Sequence, residues 1–492
     1  MTTAHSLRRA LLAPESVAVI GASDDPSKTT GRPLNYLRRA SWAGRLYPIN
    51  PSRAEVQGER AWPGVEALPE VPDHALILLP TAGVLGAVEA CARAGVKAAT
   101  ILAGGFSEAG NDDLQAAVLK AAGKMRLLGP SSIGYVDPRH GLMLTANAAF
   151  AEQGPRNGRL FAASHSGSMI GALASRGAAK GIGFAGLVSV GMEADLTLGE
   201  ICMAALDDPQ VDGFVLFMES LRHAGDIRRF ALLAAKAGKP VVAYKLGRSA
   251  QAAELAQSHT GAMAGEDIVA DAFFRACGIA RVDTLDGLLE APALVRRVIA
   301  SPARREKPVV GVVATTGGGA AMVVDQLGVR GIEVGAPTPE TTARLLEAGV
   351  AHQPGRIVDV TLAGTRYAVM KAALDVLTTA PEFDMIVSVA GSSARFHPEN
   401  AVQPAIDSAA SATPLAVFAT PEAPNALARL ADTGVPAFRT AESCADAVAA
   451  AFRRREPKAW DGPLPAATGK THFLDEAAAY GRLQKIGLDI SP

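Results

Sequence analysis

Ser16-Val-Ala-Val-Ile-Gly-Ala-Ser23 runs from an unbroken apolar stretch straight into a glycine turn. A β-branched and alanine run with no polar face suits a strand buried on both sides, the strand of a parallel sheet. The turn that follows such a strand lies at the carboxyl edge of the sheet, where doubly wound folds bind their ligands. Gly21 tolerates backbone angles closed to other residues, and the small Ala22 and Ser23 let backbone N–H groups approach a phosphate.

The same signal recurs along the chain. Ala75 to Leu79 and Ala98 to Leu102 read as further buried strands, with a helical segment from Val84 to Ala94 between them. Leu187 to Val190, Phe214 to Phe217, Val241 to Tyr244, Val309 to Val313, Met385 to Val389 and Leu415 to Phe418 continue the alternation. Strand and helix alternating throughout means α/β architecture with doubly wound parallel sheets. A chain of 492 residues is too long for one core, so about three domains are expected. The breaks are a polar turn from Gly154 to Gly158, a charged, proline-bracketed stretch from Ser301 to Pro308, and a loose segment from Pro457 to Lys470. They divide the chain into 1–145, 146–302, 303–456 and 457–492. In the last piece Phe473 to Leu488 reads as one amphipathic helix without a core of its own.

Composition narrows the partners. Lys and Arg number 48 against 49 Asp and Glu, a formal charge of -1, which gives no drive toward nucleic acid or an anionic membrane. The cysteines, Cys91, Cys202, Cys277 and Cys444, show no CxxC pairing and no zinc-ligand spacing, so reduced thiols and no metal site are expected. The first residues lack the apolar core of a signal peptide, and the longest uncharged stretches are too short and polar to span a bilayer. A cytoplasmic protein acting on a small metabolite is the expectation.

Which metabolite is narrowed by the loops. The pattern after the first strand is not GxGxxG, since the next glycine is Gly31. A nicotinamide fold also wants an acidic residue after its second strand, where this chain reads Tyr47-Pro48-Ile49-Asn50-Pro51. The loop motifs instead follow a different order: Gly21, Ala22 and Ser23; then Pro48 and Asn50; then Leu79, Pro80 and Thr81; then Ala103, Gly104, Gly105 and Phe106; then Gly129 and Pro130. That order resembles the CoA-binding domain of ADP-forming (NDP-forming) acyl-CoA synthetases and of succinyl-CoA synthetase α subunits. The resemblance implies that these loops hold CoA along the strand ends. It departs at Ser131, where the family usually has Asn.

Of the nine histidines, His259 stands out. It lies in Gln257-Ser-His-Thr-Gly-Ala-Met-Ala-Gly265, among small residues that let a loop bend and partners approach closely. The other histidines, His74 included, have terminal or loop-like neighbours, except His165 in Ser164-His-Ser-Gly167. The segment around His259 resembles the phosphohistidine loop of the same synthetase family. Glu219 ends the strand from Phe214, where a carboxylate can orient one imidazole nitrogen and leave the other as nucleophile, or can simply be a solvated loop residue. Ser166, Gly167 and Ser168 open one helix, and Gly317, Gly318 and Gly319 open another. Two helix N-termini supply unpaired N–H groups and positive dipole ends for a phosphoryl group. His165 stands where the family commonly has Gln; it either contacts substrate or replaces the amide as a hydrogen-bonding side chain. Lys245 and Arg248 precede the histidine segment and either balance phosphate or end a solvated strand. Met192 stands where the family often has Asn.

The resemblance covers nearly the whole chain. It implies a Rossmann-like CoA-binding domain followed by two flavodoxin-like ligase domains, the first carrying the phosphohistidine. It further implies an acid-thiol ligase that makes acyl-CoA, ADP and phosphate from a carboxylic acid, CoA and ATP, by way of an acyl phosphate. The nucleotide and its Mg2+ are then expected on an ATP-grasp domain or subunit, to which the Phe473 to Leu488 helix resembles a lead-in, and an oligomer is expected. Two other classes fit parts of the sequence: a catalytically silent module that senses acyl-CoA, which would need neither His259 nor the glycine helix starts, and a nicotinamide oxidoreductase, which the loop chemistry disfavours.

Overall fold

The computed structural model describes residues 6–152, 154–249, 251–252, 267–298, 305, 307–457 and 475–485. Its chain divides into two units, Met1–Pro457 and Lys458–Pro492. In the second, the described helix is Glu476–Lys485, begun by Asp475, whose carboxylate accepts the Ala478 N–H at 2.8 Å. Among the described residues no helix is long and apolar enough to cross a membrane.

The first unit is built on three main sheets. The first contains β1 (Ser16–Ile20), β2 (Arg45–Ile49), β5 (His74–Ile77), β6 (Ala98–Ile101) and β7 (Arg126–Leu128), with a small hairpin of β3 (Glu55–Val56) and β4 (Glu59–Arg60) beside it. Its order is β2-β1-β5-β6-β7, all parallel. The second adds β8 (Gly134–Asp137), β9 (Leu142–Thr145), β10 (Asn157–Ser164), β11 (Phe184–Ser189), β12 (Gly213–Met218), β13 (Val241–Lys245) and β14 (Ala280–Val282), in the order β14-β13-β12-β10-β11-β8-β9. The third holds β15 (Val309–Ala314), β16 (Glu333–Val334), β17 (Ile357–Asp359), β18 (Met385–Ala390), β19 (Leu415–Ala419) and β20 (Ala437–Phe438), ordered β16-β15-β18-β19-β20 with β17 also on β15.

Counted from its own first parallel strand and leaving out the short hairpins and β17, each sheet has the flavodoxin-like order, second, first, third, fourth, fifth. Each therefore has a switch point between its first and third strands, where neighbouring loops diverge and leave a crevice. For the first sheet that point lies between Gly21 and Leu79; for the second, between His165 and Glu219. The fold is thus the α/β arrangement of doubly wound sheets that the strand–helix alternation implies. Sheet membership changes between Leu128 and Gly134, ahead of the boundary expected after residue 145. The antiparallel β8–β9 hairpin pairs with β11 and belongs to the second sheet.

One apolar core runs between the second and third sheets. The helices Leu285–Arg297 and Ala441–Arg453 fill it, with Leu288, Leu294 and Val448 packed among Val215, Val312 and Phe418. Asp446, within the second of these helices, holds the start of the first: its buried carboxylate accepts the N–H groups of Asp283 and Thr284 and the Thr284 hydroxyl. Burial raises the Asp446 pKa despite these bonds.

His74, expected among loop-like neighbours, lies fully buried at the start of β5. Its Nδ1 is 3.1 Å from the Ala10 carbonyl and its Nε2 is 2.9 Å from the Thr100 hydroxyl, an arrangement that suits a neutral ring donating through Nδ1. Burial lowers its pKa from 6.5 to about 4. The unfolded chain therefore binds the extra proton first, and stability is lost as pH falls from about 6.5 toward about 4. The loss attributable to His74 approaches about 3 kcal/mol below that window. Urea unfolding at pH 7.5 and pH 5 should show this slope in the natural chain. His74→Gln should flatten it while lowering the stability at both pH values.

Candidate functional site

The five strands of the first sheet run parallel, so their carboxyl-end loops line up along one edge: Pro48 to Asn50, Gly21 to Ser23, Leu79 to Thr81, Ala103 to Phe106, and Gly129 to Ser131. The loops are knitted together. Asn50 Nδ2 donates to the Ala22 carbonyl at 3.0 Å, the Thr81 hydroxyl to the Gly104 carbonyl at 2.6 Å, and the Ser131 N–H to the Ala103 carbonyl at 3.0 Å. Gly21 has φ +83°, and a Cβ there would stand 2.9 Å from Leu79 Cδ2, so this crossing of loops is built for a residue without a side chain. Above it a cavity of about 370 Å3 is bounded by Gly21 to Asp25, Lys28, Asn50 and Arg53. Lys28 and Arg53 bring positive charge to it, Arg53 paired with Asp24 at 3.2 Å. Asp24 and Asp25 line the same cavity, so the open backbone cradle carries both cations and carboxylates. Neither cation sits in a recognisable motif, so sequence reading missed both.

The last of these loops is fastened to the second sheet. Met192 N–H donates to the Pro130 carbonyl, Ala194 N–H to the Gly129 carbonyl, and the Ser132 hydroxyl to the Ser189 carbonyl at 2.6 Å. The approach is so close that a Cβ on Gly191, at φ +71°, would lie 2.1 Å from the Pro130 carbonyl oxygen. At this seam a cavity of about 270 Å3 opens, lined by Glu108 and Ser131 from one side and His165, Ser166, Gly167, Met192, Glu193, Glu219 and Arg222 from the other. Glu108 also accepts the N–H groups of Gly105 and Phe106, at 2.6 and 3.2 Å, so the cavity abuts the loop expected to hold CoA.

Two walls of the cavity are backbone-strained. Ser131 has φ +58° and Glu193 φ +54°, conformations that favour glycine and that tend to persist where function demands them. Ser166 precedes the helix Gly167–Ala179, whose first N–H groups face this edge, and its hydroxyl lies 3.2 Å from that of Ser168. Glu219 follows β12 directly, beside them. Its main-chain N–H donates to His165 Nδ1 at 3.0 Å. Glu193 is nearly buried; burial pushes its carboxyl up, but the adjacent His165 imidazole and the Leu198 N–H outweigh that and hold it below the usual carboxylate range.

The expected site residues therefore divide. Ser131, Ser166, Gly167 and Glu219 meet around one cavity. Gly317, Gly318 and Gly319 open the helix Gly317–Val329 at the carboxyl edge of the third sheet and do not line it. Lys245 is buried, its Nζ donating to the Leu246 carbonyl at 2.7 Å, so it is not a solvated strand end, whereas Arg248 is exposed and pairs with Asp283 at 2.7 Å. His259 lies outside the described residues. Glu193 and Glu108, which shape the cavity, were not singled out from the sequence: Glu193 meets His165 only through the fold, and Glu108 braces its own loop without belonging to a recognisable motif.

Comparisons with known proteins accord with this layout. Residues 15–138 match the CoA binding domain family, and residues 157–295 match the succinyl-CoA ligase like flavodoxin domain family. The chain is 34% identical over 281 residues to an ADP-forming acetate–CoA ligase of Methanocaldococcus jannaschii, an alignment covering 56% of this chain and 38% of that protein. It is 30% identical over 327 residues to the α subunit of ADP-forming acetate–CoA ligase II of Pyrococcus furiosus, covering 65% of this chain and 68% of that subunit. Its fold superposes on the dinucleotide forming acetyl-coenzyme A synthetase 1 of Ca. Korarchaeum cryptofilum, solved with phosphate and ADP, with a TM-score of 0.77 and 26% identity, covering 92% of this chain and 97% of that one. The chain thus spans less than half of the M. jannaschii ligase but two thirds of the P. furiosus subunit. By sequence and fold together, it belongs to the family of ADP-forming acyl-CoA synthetases that contains the acetate–CoA ligase α subunits.

Proposed function

We propose that this chain performs the CoA-binding and phosphoryl-relay part of an ADP-forming acyl-CoA synthesis. The observation that carries the reading is the shared cavity: Glu108, which braces the Gly105–Phe106 loop, faces the Ser166, Gly167 and Glu219 edge across one opening of about 270 Å3. A thiol delivered along the first sheet's loops would emerge beside groups suited to a phosphoryl transfer.

In this reading the phosphoryl group of ATP passes to a nitrogen of His259, then to the carboxylate of the acid, giving an acyl phosphate. The CoA sulfur attacks the acyl carbon and phosphate leaves with the bonding pair. Glu219 accepts a hydrogen bond from the non-reacting imidazole nitrogen, which fixes the tautomer and balances the charge of the phosphohistidine. The N–H groups at Ser166 to Ser168 receive the phosphoryl oxygens, helped by the dipole of the helix Gly167–Ala179, and the turn at Gly317 to Gly319 serves the same group at another stage of the relay. The Gly21, Asn50, Thr81 and Phe106 loops hold CoA. ATP and Mg2+ belong to an ATP-grasp unit, whether a separate subunit or part of a longer chain, and the acid is a small carboxylic acid.

With that unit present, a panel of carboxylic acids tests the reading through thioester formation. The products expected are acyl-CoA, ADP and phosphate. Formation of AMP and pyrophosphate, or tight binding of NAD without binding of CoA, contradicts it. Glu219→Gln should slow the reaction without abolishing it. An amide still hydrogen-bonds but carries no charge, and losing a charged hydrogen bond costs about 1.5–3 kcal/mol, or about 10- to 150-fold in kcat. The affinity for CoA should stay unchanged in calorimetry.

A further inference from the structure

The cavity contains a histidine whose contacts fit neither a nucleophile nor a substrate ligand. His165 is 7% exposed. Its Nδ1 accepts the N–H of Glu219 at 3.0 Å and is 3.4 Å from the N–H of Ser220. Its own main-chain N–H donates to the Phe217 carbonyl at 3.1 Å, so ring and main chain both grip the end of β12. A lone pair that receives backbone N–H groups cannot also carry a proton or attack phosphorus. The ring proton is therefore on Nε2. That nitrogen is buried, makes no aligned hydrogen bond, and has Glu193 Oε2 at 3.2 Å as its facing acceptor.

Glu193 is held for this contact. It is 6% exposed and sits at φ +54°, and its other oxygen accepts the Leu198 N–H at 2.7 Å at the start of the helix Leu198–Leu206. A carboxylate fixed there favours the proton on Nε2 and leaves the Nδ1 lone pair for the main chain of Glu219. A chain of contacts thus runs from the helix start at Leu198 through Glu193 and His165 to Glu219.

We infer that His165 is a positioning residue: its Nδ1 fixes the backbone from which the Glu219 carboxylate projects, and Glu193 selects the tautomer that makes this possible. The inference rests on the reading that Glu219 orients the phosphorylated histidine. It also assigns a purpose to an acceptor and a donor at opposite ends of one side chain, a pattern that glutamine can reproduce and leucine or asparagine cannot. The oxygen of a glutamine at this position would receive the Glu219 N–H and its NH2 would face Glu193. Asparagine is too short to span both.

The test is a double-mutant cycle on the full chain with its ATP-grasp unit, following acyl-CoA formation. His165→Leu should lower kcat about 30-fold, within the range for loss of a partner to a charged group's support, with KM for CoA within about twofold. His165→Gln should recover at least about tenfold of that loss. In combination with Glu219→Gln, the His165→Leu change should add little, because it acts through the same carboxylate. Should His165→Leu fold poorly, His165→Asn takes its place in the cycle. Fully additive effects of the two substitutions overturn the inference, as does a glutamine variant no better than leucine. A Glu219→Gln enzyme with unaltered kcat sinks the underlying reading of Glu219 instead, and does so independently of any His165 variant.

Discussion

His259→Ala is expected to remove phosphoryl exchange between the acyl-CoA and nucleotide sites, a loss of about 1,000-fold or more, while leaving CoA affinity within about twofold. The expectation follows from separation of tasks. In the proposed reading CoA is held by main-chain loops at the carboxyl edge of the first sheet, and the imidazole acts on the phosphoryl group. The phosphoryl relay depends on a nucleophile, and alanine supplies none. His165 Nδ1 accepts the Glu219 N–H and its buried Nε2 faces Glu193, so it offers no substitute nucleophile. Isotope exchange between ADP and ATP, measured with the nucleotide-binding unit present, reads the relay, and calorimetry with CoA reads the cradle. Exchange that survives in His259→Ala but vanishes in His165→Ala would reverse the roles of the two histidines.

The second large effect is expected at Gly21. Gly21→Val forces a β-branched residue to φ +83°, and its Cβ would meet Leu79 Cδ2 at 2.9 Å. The methyl end of a leucine can move aside, so the chain should still fold, with a strain cost of about 1–3 kcal/mol at the turn. The new side chain stands where the Gly21 and Leu79 loops part, at the switch point of the sheet. Phosphates and backbone can no longer come together there. CoA affinity should fall about 30-fold or more, equivalent to about 2 kcal/mol, and the variant should retain the cooperative unfolding of its parent. Unchanged CoA affinity in a folded Gly21→Val chain would remove the CoA assignment from this edge.

Much of this layout was legible in the sequence, for a physical reason. Strands buried on both faces must be apolar throughout, so Ser16–Ile20, Gly213–Met218 and Met385–Ala390 announce themselves without alignment. Their carboxyl ends carry the loops on which Gly21, Thr81, Gly105 and Glu219 stand, and the family resemblance gave the expectation of CoA for the first three. What the chain did not reveal depends on order in space. Nothing local in Gly134–Thr145 says that this hairpin joins β11 rather than the sheet it follows. The burial of His74 is equally non-local. It looked loop-bound because Pro72 and Asp73 precede it, yet its two ring nitrogens find Ala10 and Thr100 only after the sheet forms. The same holds for Glu193 and His165, which lie on the loops after adjacent strands β11 and β10 and become partners only when those strands pair.

The central claim, that this chain relays a phosphoryl group through His259, has a direct measurement. The full chain is incubated with an acyl-CoA and 32P-labelled inorganic phosphate, in the presence of the nucleotide-binding unit but without nucleotide, and the labelled peptide is identified. The account predicts an acid-labile, base-stable label on the peptide containing His259, discharged when ADP is added. A chain that acquires no label with any acyl-CoA it binds, or that carries the label on a peptide lacking His259, would contradict it.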